Sequence, residues 1–227
     1  MFLYDSSMLL LVPAIIITLI AQFKISSAYS KYSKINSVKG VTGEQVALNI
    51  LRDNGIYDVE VEMVNGKMTD HFDPRAKKIR LSREVFYGTS IASVGIAAHE
   101  VGHAIQYNVG YAPIIFRNKI VPAVNFGASF SWGLFFLGLI LSMKPLLFFG
   151  IALFSLTVIF QLVTLPVELN ASNRAIKSII NLNLLYDDEV KGARNILNCA
   201  ALTYISAALM SIMQLLRLIS LASRRDN

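Results

Sequence analysis

The chain alternates between long apolar blocks and polar segments. Three blocks are almost free of charge and, with their flanks, approach the length that crosses a bilayer: residues 6–23, 121–143 and 146–165. Only Lys144 and Pro145 separate the second block from the third, which predicts a transmembrane hairpin. A fourth block, 199–222, is long enough to span but contains Gln214 and Arg217, so a span and a partly interfacial helix both fit. We predict a mainly α-helical integral membrane bundle with about four spans, forming a single domain over residues 1–227.

The first block has a competing interpretation as a secretory signal peptide. A signal peptide begins with a basic region and ends in small residues at its cleavage site, whereas here Asp5 precedes the apolar core and Lys24 follows it. We therefore predict a retained anchor. The composition agrees with a membrane protein, since 54% of the 227 residues are hydrophobic and only 16% are charged.

Basic residues predict how the chain is oriented. If each block crosses once, segments 24–120 and 166–198 share one side of the membrane, and they hold 17 of the 21 Lys and Arg residues. The positive-inside rule places this side in the cytosol, although the terminal Arg224-Arg225 pair argues mildly the other way. The net charge of +6 is then a signal of orientation and lipid contact. No stripe of aromatic and basic residues suggests nucleic acid as a partner.

The larger polar segment has a readable order of elements. Thr42 and Gln45 form a capping-box pattern before an amphipathic helix that ends at Gly55. Residues 59–64 alternate as a strand and run into Asn65-Gly66, a strong hairpin signal, and residues 78–82 predict a further strand. We predict a small antiparallel sheet on the cytosolic side, whose edge could hold an extended peptide.

The stretch His99-Glu100-Val101-Gly102-His103 carries the clearest chemistry. On a helix its two histidines lie one turn apart on one face, so both can bind one metal ion. Glu100 is then placed to act as a general base toward a metal-activated water. Chance is the alternative, but two of the chain's three histidines fall here, in an apolar helix that would bury them at a cost. The motif predicts one zinc ion per chain and hydrolytic chemistry.

A hydrolytic zinc site usually has three protein ligands and one open position. Glu168 follows the predicted hairpin, so two crossings return it to the side of the histidines, where it is a candidate third ligand. An ordinary carboxylate at a helix start after Pro166 is the alternative. Ser172, one turn later, could hydrogen-bond a ligand imidazole, and Arg174 could pair with Glu168 or stabilise charge on the substrate carbonyl.

Three segments together resemble a known family: DHFDPRAKKIRLS (residues 70–82), SIASVGIAAHEVGHAIQ (90–106) and LPVELNASNRA (165–175). They resemble the YugP family of neutral zinc metallopeptidases, which are bacterial membrane proteins. At greater distance the chain is similar to the HtpX and CAAX prenyl protease group. The resemblance implies a gluzincin-like site in which His99, His103 and Glu168 bind zinc and Glu100 is the base, acting on peptides or membrane proteins in a role such as membrane-protein quality control. It also implies a multi-pass protein of the bacterial cell membrane.

The sequence departs from these relatives in places. The distant group has an aspartate where this chain has Ser172, and the YugP pattern is usually acidic at Asn170. His71 lies in a matching motif and could donate a hydrogen bond to the tetrahedral oxyanion, while a turn histidine before Asp73-Pro74 is the alternative.

Two other features bear on partners and alternatives. Ala123, Gly127 and Ser131 form a small-residue stripe that would pack closely against another span or a second copy of the chain. A single cysteine, Cys199, allows no intrachain disulfide. Beside a zinc endopeptidase, two functions remain open: a zinc hydrolase of non-peptide substrates, and an inactive membrane scaffold stabilised by zinc, with His71 closing the site.

Overall fold

A computed structural model describes residues 6–223, and most of them are helical. A short 3-10 helix, Ser6–Leu11, precedes seven α-helices and three strands, which follow in this order along the chain: α1 (Val12–Tyr32), α2 (Gly43–Asp53), β1 (Glu60–Val64), β2 (His71–Asp73), β3 (Lys78–Ser82), α3 (Arg83–Phe86), α4 (Ile91–Asn108), α5 (Ala112–Ile140), α6 (Lys144–Asn181) and α7 (Asp187–Ser223). Two compact units divide the described chain. We call residues 6–22, Pro113–Pro166 and 203–223 the membrane unit, and Phe23–Ala112 with Val167–Leu202 the site unit.

Four helices are long and apolar enough to cross a membrane, and they contain the four predicted blocks: Ser7–Tyr32, Ala112–Ile140, Lys144–Asn181 and Asp187–Ser223. In the membrane unit, large apolar side chains such as Leu19, Phe126 and Ile140 are exposed. Exposing these side chains to water would cost free energy, whereas exposing them to lipid does not. The chain is a multi-pass membrane protein.

The helices extend beyond the apolar blocks. The third block was predicted to end at Leu165, yet α6 continues through Pro166 to Asn181. A proline forfeits one backbone hydrogen bond in a helix interior, and α6 accommodates that loss here. Glu168 therefore lies in the interior of α6, so its interpretation as a helix-start carboxylate was wrong.

The membrane unit is held together by close backbone contacts between α5 and α6. A Cβ atom on Gly127 would lie 2.7 Å from the Leu153 carbonyl oxygen, and one on Gly138 would lie 2.7 Å from the Leu147 nitrogen. Glycine permits this approach. In lipid, where no hydrophobic effect drives helices together, such close van der Waals packing stabilises the helix pair. The predicted small-residue stripe thus meets a helix of the same chain at Gly127, while Ala123 is exposed. Oligomerisation stays a prediction.

The site unit has a hydrophobic core, which forms where α2 and the sheet pack on α4. The predicted cap of α2 is confirmed, because Thr42 and Gln45 exchange both hydrogen bonds of a capping box. Gly55 after the helix has φ +67°, a conformation that favours glycine. The fully buried core side chains include Val46, Ile50, Ile79 and Val101.

The predicted strands form, but the predicted hairpin and a purely antiparallel sheet were wrong. The order is β1-β3-β2, with β1 parallel and β2 antiparallel to β3. The central position suits β3, because Ile79 and Leu81 are fully buried while its Lys78 and Arg80 bind Glu62 of β1 at 2.6 Å each. Burial and opposite charge therefore outweigh the local turn signal at Asn65-Gly66.

Candidate metal centre

Helix α4 carries the HExxH motif through the centre of the site unit. Its start is capped by Ser90, whose hydroxyl accepts a hydrogen bond from the Ser93 backbone N–H at 3.1 Å. Most of the helix is buried, and its apolar residues fix it against α2 and the strands. His99 and His103 fall one turn apart, with ring centroids 4.8 Å from each other. The rigid, buried helix therefore fixes the spacing of the two imidazoles.

Helix α6 approaches α4 closely beside the motif. A Cβ atom added to Gly102 would lie 2.5 Å from the Ala171 carbonyl oxygen, a distance that real Cβ atoms do not tolerate. Only glycine at position 102 allows the two backbones to come this near. Because Glu168 is three residues before Ala171 on α6, the contact brings the Glu168 carboxylate to the histidines.

The three side chains converge on one point. Glu168 Oε2 lies 3.2 Å from His99 Nε2 and 3.5 Å from His103 Nε2, and one ligand atom from each residue lies within 4.8 Å of the other two. All three side chains are at least 85% buried. Two imidazole nitrogens and a carboxylate oxygen at such spacing match the donor set of catalytic zinc sites. The residues present thus fit a zinc ion.

The orientation of His103 is set by a buried glutamine. Gln106 is fully buried, and its Nε2 donates to the Val167 carbonyl at 2.7 Å and to Asn170 Oδ1 at 3.1 Å. Since a carbonyl can only accept, the amide must point its nitrogen there and its Oε1 toward His103 Nδ1, 3.0 Å away. His103 Nδ1 then carries a proton, and Nε2, turned toward Glu168, is the nitrogen that would bind a metal ion.

The other ligand histidine has a similar, weaker partner. Ser172 Oγ lies 3.2 Å from His99 Nδ1, while His99 Nε2 faces Glu168. Arg174 donates from Nε to Asn170 Oδ1 at 2.7 Å. In residues 6–223 the hydrogen bond of Arg174 goes to Asn170, where the sequence had suggested Glu168. Arg174 therefore orients the amide that in turn contacts Gln106.

The site is electrostatically suited to a cation. Burial favours the neutral ring of His103, but its hydrogen bond to Glu168 and the charges of Glu100 and Glu168 outweigh burial, so the pKa of His103 is raised. A metal ion competes with that proton for the same lone pair. Glu100 itself is 9% exposed and lies next to His99 on α4.

His71 lies apart from this group. It is exposed on β2, its Nδ1 lies 2.7 Å from the Thr69 carbonyl oxygen, and its Nε2 lies 3.5 Å from Arg80. Within the described residues the metal-ligand group comprises His99, His103 and Glu168, without a fourth protein ligand. An oxyanion-binding role for His71 stays a prediction.

Sequence reasoning missed Gln106 and the carbonyl of Val167. The available signal was position: Gln106 is three residues after His103, on an otherwise apolar helix face, so it lies beside a ligand. A polar amide in such a place needs partners, and ligand histidines need an acceptor for their second nitrogen. The acceptor and the link to α6 could not be read without knowing which backbone lies opposite.

Four apolar helices and a buried HExxH helix beside a glutamate of a second helix are the features expected of a membrane metallopeptidase. The profile of the family described as "Putative neutral zinc metallopeptidase" matches residues 7–223, so the chain belongs to this family. The chain is 46% identical over 209 residues to the "Putative membrane protease YugP" of Bacillus subtilis (strain 168), an alignment that covers 91% of this chain and 93% of that protein. No solved structure matches the chain. The resemblance to the YugP family is thereby confirmed.

Proposed function

We propose that the protein is a zinc-dependent endopeptidase that hydrolyses peptide bonds at the cytosolic surface of a bacterial membrane. The observation that carries the proposal is the convergence of His99, His103 and Glu168 within 4.8 Å in a buried site. The site has three protein ligands among residues 6–223, which leaves the open position that catalysis needs. A closed, four-ligand site would have supported the zinc-stabilised scaffold instead.

The residues divide the work as follows. His99, His103 and Glu168 bind the ion, which when bound polarises the peptide carbonyl and lowers the pKa of water. Glu100 accepts a proton from the attacking water and delivers it to the leaving amine. Gln106 and Ser172 hold the two imidazoles with Nε2 toward the ion. The role that the sequence suggested for His71 toward the oxyanion, and for Arg174 toward the substrate carbonyl, stays a prediction.

The substrate backbone has a natural place beside α4. Strand β2 is an edge of the sheet and packs against α4, where the ring of Phe72 contacts that of Tyr107 with centroids 6.1 Å apart. An extended peptide that pairs with β2 runs alongside the HExxH helix. The distribution of basic residues supports a cytosolic site, and the four apolar helices support a position at a membrane. Membrane proteins are therefore the proposed substrates, with quality control as the proposed role.

The test is zinc content and peptide hydrolysis of the detergent-purified chain, with wild type beside Glu168→Ala and His71→Ala. We expect one zinc in the wild type and in His71→Ala, and loss of both zinc and cleavage in Glu168→Ala. Casein and a membrane-protein substrate are used together with an ester substrate. Zinc loss in His71→Ala alone would refute the ligand set, and cleavage of the ester without any peptide would favour the non-peptide hydrolase.

A further inference from the structure

A second cavity lies away from the metal ligands, between α1 and α7 within the site unit. Its volume is about 440 Å³. The side chains that line it come from one face of each helix: Lys24, Ser27 and Lys31 of α1, and Asn195 and Asn198 of α7. Because spacings of three, four and seven residues keep side chains on one helical face, the two helices present a continuous polar surface to the cavity.

The cavity straddles the border between apolar and polar sequence. On α1 the uncharged run ends at Phe23, and Lys24 is the first charged residue after it. On α7, Arg194 is the last charge before the uncharged run that leads into the membrane block. Phe23 and Leu202 line the cavity beside these polar residues, so its lining changes from apolar to polar. Such a change from apolar to polar residues is expected where helices leave the hydrocarbon core, near the level of the lipid phosphates.

The polar part of the cavity is cationic. Lys24 and Lys31 line it, and no carboxylate from residues 6–223 does. Among residues 6–223 neither lysine forms an ion pair, and Lys31 lies over the Tyr32 ring, 5.0 Å from its centroid. Asn195 Nδ2 donates to the Tyr32 hydroxyl at 3.4 Å, which fixes the polar end of the cavity. Two ammonium groups with neighbouring amide and hydroxyl groups match a phosphodiester, which is anionic and rich in acceptors.

We infer that this cavity binds the phosphate headgroup of an anionic phospholipid, whose acyl chains lie over Phe23 and Leu202. The phosphate accepts from Lys24, Lys31 and the asparagine amides. Zwitterionic lipids bind less well because the lysines repel their cationic headgroup end. This site goes beyond the proposed peptidase activity and does not depend on it.

The test counts lipids retained by the purified full chain in native mass spectrometry, after equilibration in mixed phosphatidylglycerol and phosphatidylcholine micelles. Four double variants are compared with the wild type: Lys24→Gln with Lys31→Gln, Lys24→Arg with Lys31→Arg, Asn195→Leu with Asn198→Leu, and a control, Lys67→Gln with Lys177→Gln. The control removes the same charge from two exposed lysines outside the cavity. Helical content and elution as a single species in size-exclusion chromatography establish that each variant is folded.

We expect the wild type, the arginine pair and the control pair to retain phosphatidylglycerol at least about tenfold over phosphatidylcholine. We expect the Lys24/Lys31 glutamine pair to lose this preference and the leucine pair to weaken it. Equal preference in the glutamine pair and the wild type, or equal loss in the control pair, would overturn the inference. Inorganic phosphate at millimolar concentration should not displace the lipid. Displacement would mean that the site takes soluble phosphate, and would overturn the lipid assignment.

Discussion

Two glutamines, one in each compact unit, differ in whether their buried amide atoms have hydrogen-bond partners. Gln106 in the site unit is fully buried, and both ends of its amide have hydrogen-bond partners. Gln214 in the membrane unit has a buried Nε2 without an acceptor in the described part of the chain, beside a cavity of about 410 Å³. The first amide orients His103, a candidate metal ligand. The second has no protein acceptor for its Nε2 in residues 6–223.

Replacing a glycine at the close contact between α4 and α6 gives the largest expected effect. Gly102→Ala forces the backbones of α4 and α6 apart, because its Cβ would lie 2.5 Å from the Ala171 oxygen. We expect about 1–3 kcal/mol loss in the free energy of unfolding and a strong loss of zinc affinity, measured by denaturation and by competition with a chelator. Gly133→Ala in α5 is the matched control, since nothing lies within 4 Å of its added Cβ. Unchanged zinc affinity in Gly102→Ala would contradict the role of this contact.

Gln106→Met tests whether the buried amide positions His103. Methionine keeps the size of the side chain but removes the acceptor for His103 Nδ1 and the donor to Val167. We expect zinc affinity to fall about 10- to 100-fold. Gln106→Glu separates the two contacts, because it keeps the acceptor and loses the donor. It should retain more affinity than the methionine variant, and the reverse order would show that the amide serves only packing.

Ser172→Ala removes the hydroxyl 3.2 Å from His99 Nδ1. Because Ser172 is only partly buried, water can replace its hydroxyl, and we expect zinc affinity to fall less than in Gln106→Met. Chelator competition on both variants under identical conditions ranks the two effects. A larger loss of zinc affinity in Ser172→Ala than in Gln106→Met would contradict the account, because it would mean that the serine matters more to its histidine than the glutamine does.

Gln214→Met should have the smallest effect. The buried Nε2 has no partner to lose in residues 6–223, so the substitution removes an unsatisfied group. We expect thermal stability in detergent to stay equal or to rise, and zinc affinity to stay unchanged. A clear drop in stability would show that this amide has a partner in the membrane, such as water or lipid.

The sequence predicted the elements better than their pairing. Four apolar blocks, the capping box of α2 and the strands predicted at 59–64 and 78–82 follow from local patterns, and all form, the first strand over Glu60–Val64. Strand order failed because β3 takes the centre through the burial of Ile79 and Leu81 and through ion pairs with β1, which are long-range effects. The turn signal at Asn65-Gly66 is local and could not report them.

The candidate metal ligands could likewise be predicted from residue spacing. The residues that hydrogen-bond to these ligands could not. The HExxH spacing brings His99 and His103 together, and the hairpin returns Glu168 to their side. Gln106 gains its role only from the Val167 carbonyl across the helix crossing, and Arg174 reaches Asn170. Such partners depend on how two helices are rotated against each other, which residue periodicity leaves open.

Comparison of the wild type with Glu100→Gln tests the central claim most directly, with zinc content and peptide cleavage measured on the same purified samples. Glutamine keeps the size of Glu100 and cannot accept the proton of the attacking water, while the three ligands are untouched. We predict one zinc per chain in both proteins, cleavage by the wild type, and loss of cleavage by at least about a hundredfold in the variant. Cleavage at the wild-type rate by Glu100→Gln, or a zinc-loaded wild type that cleaves no peptide, would contradict the account.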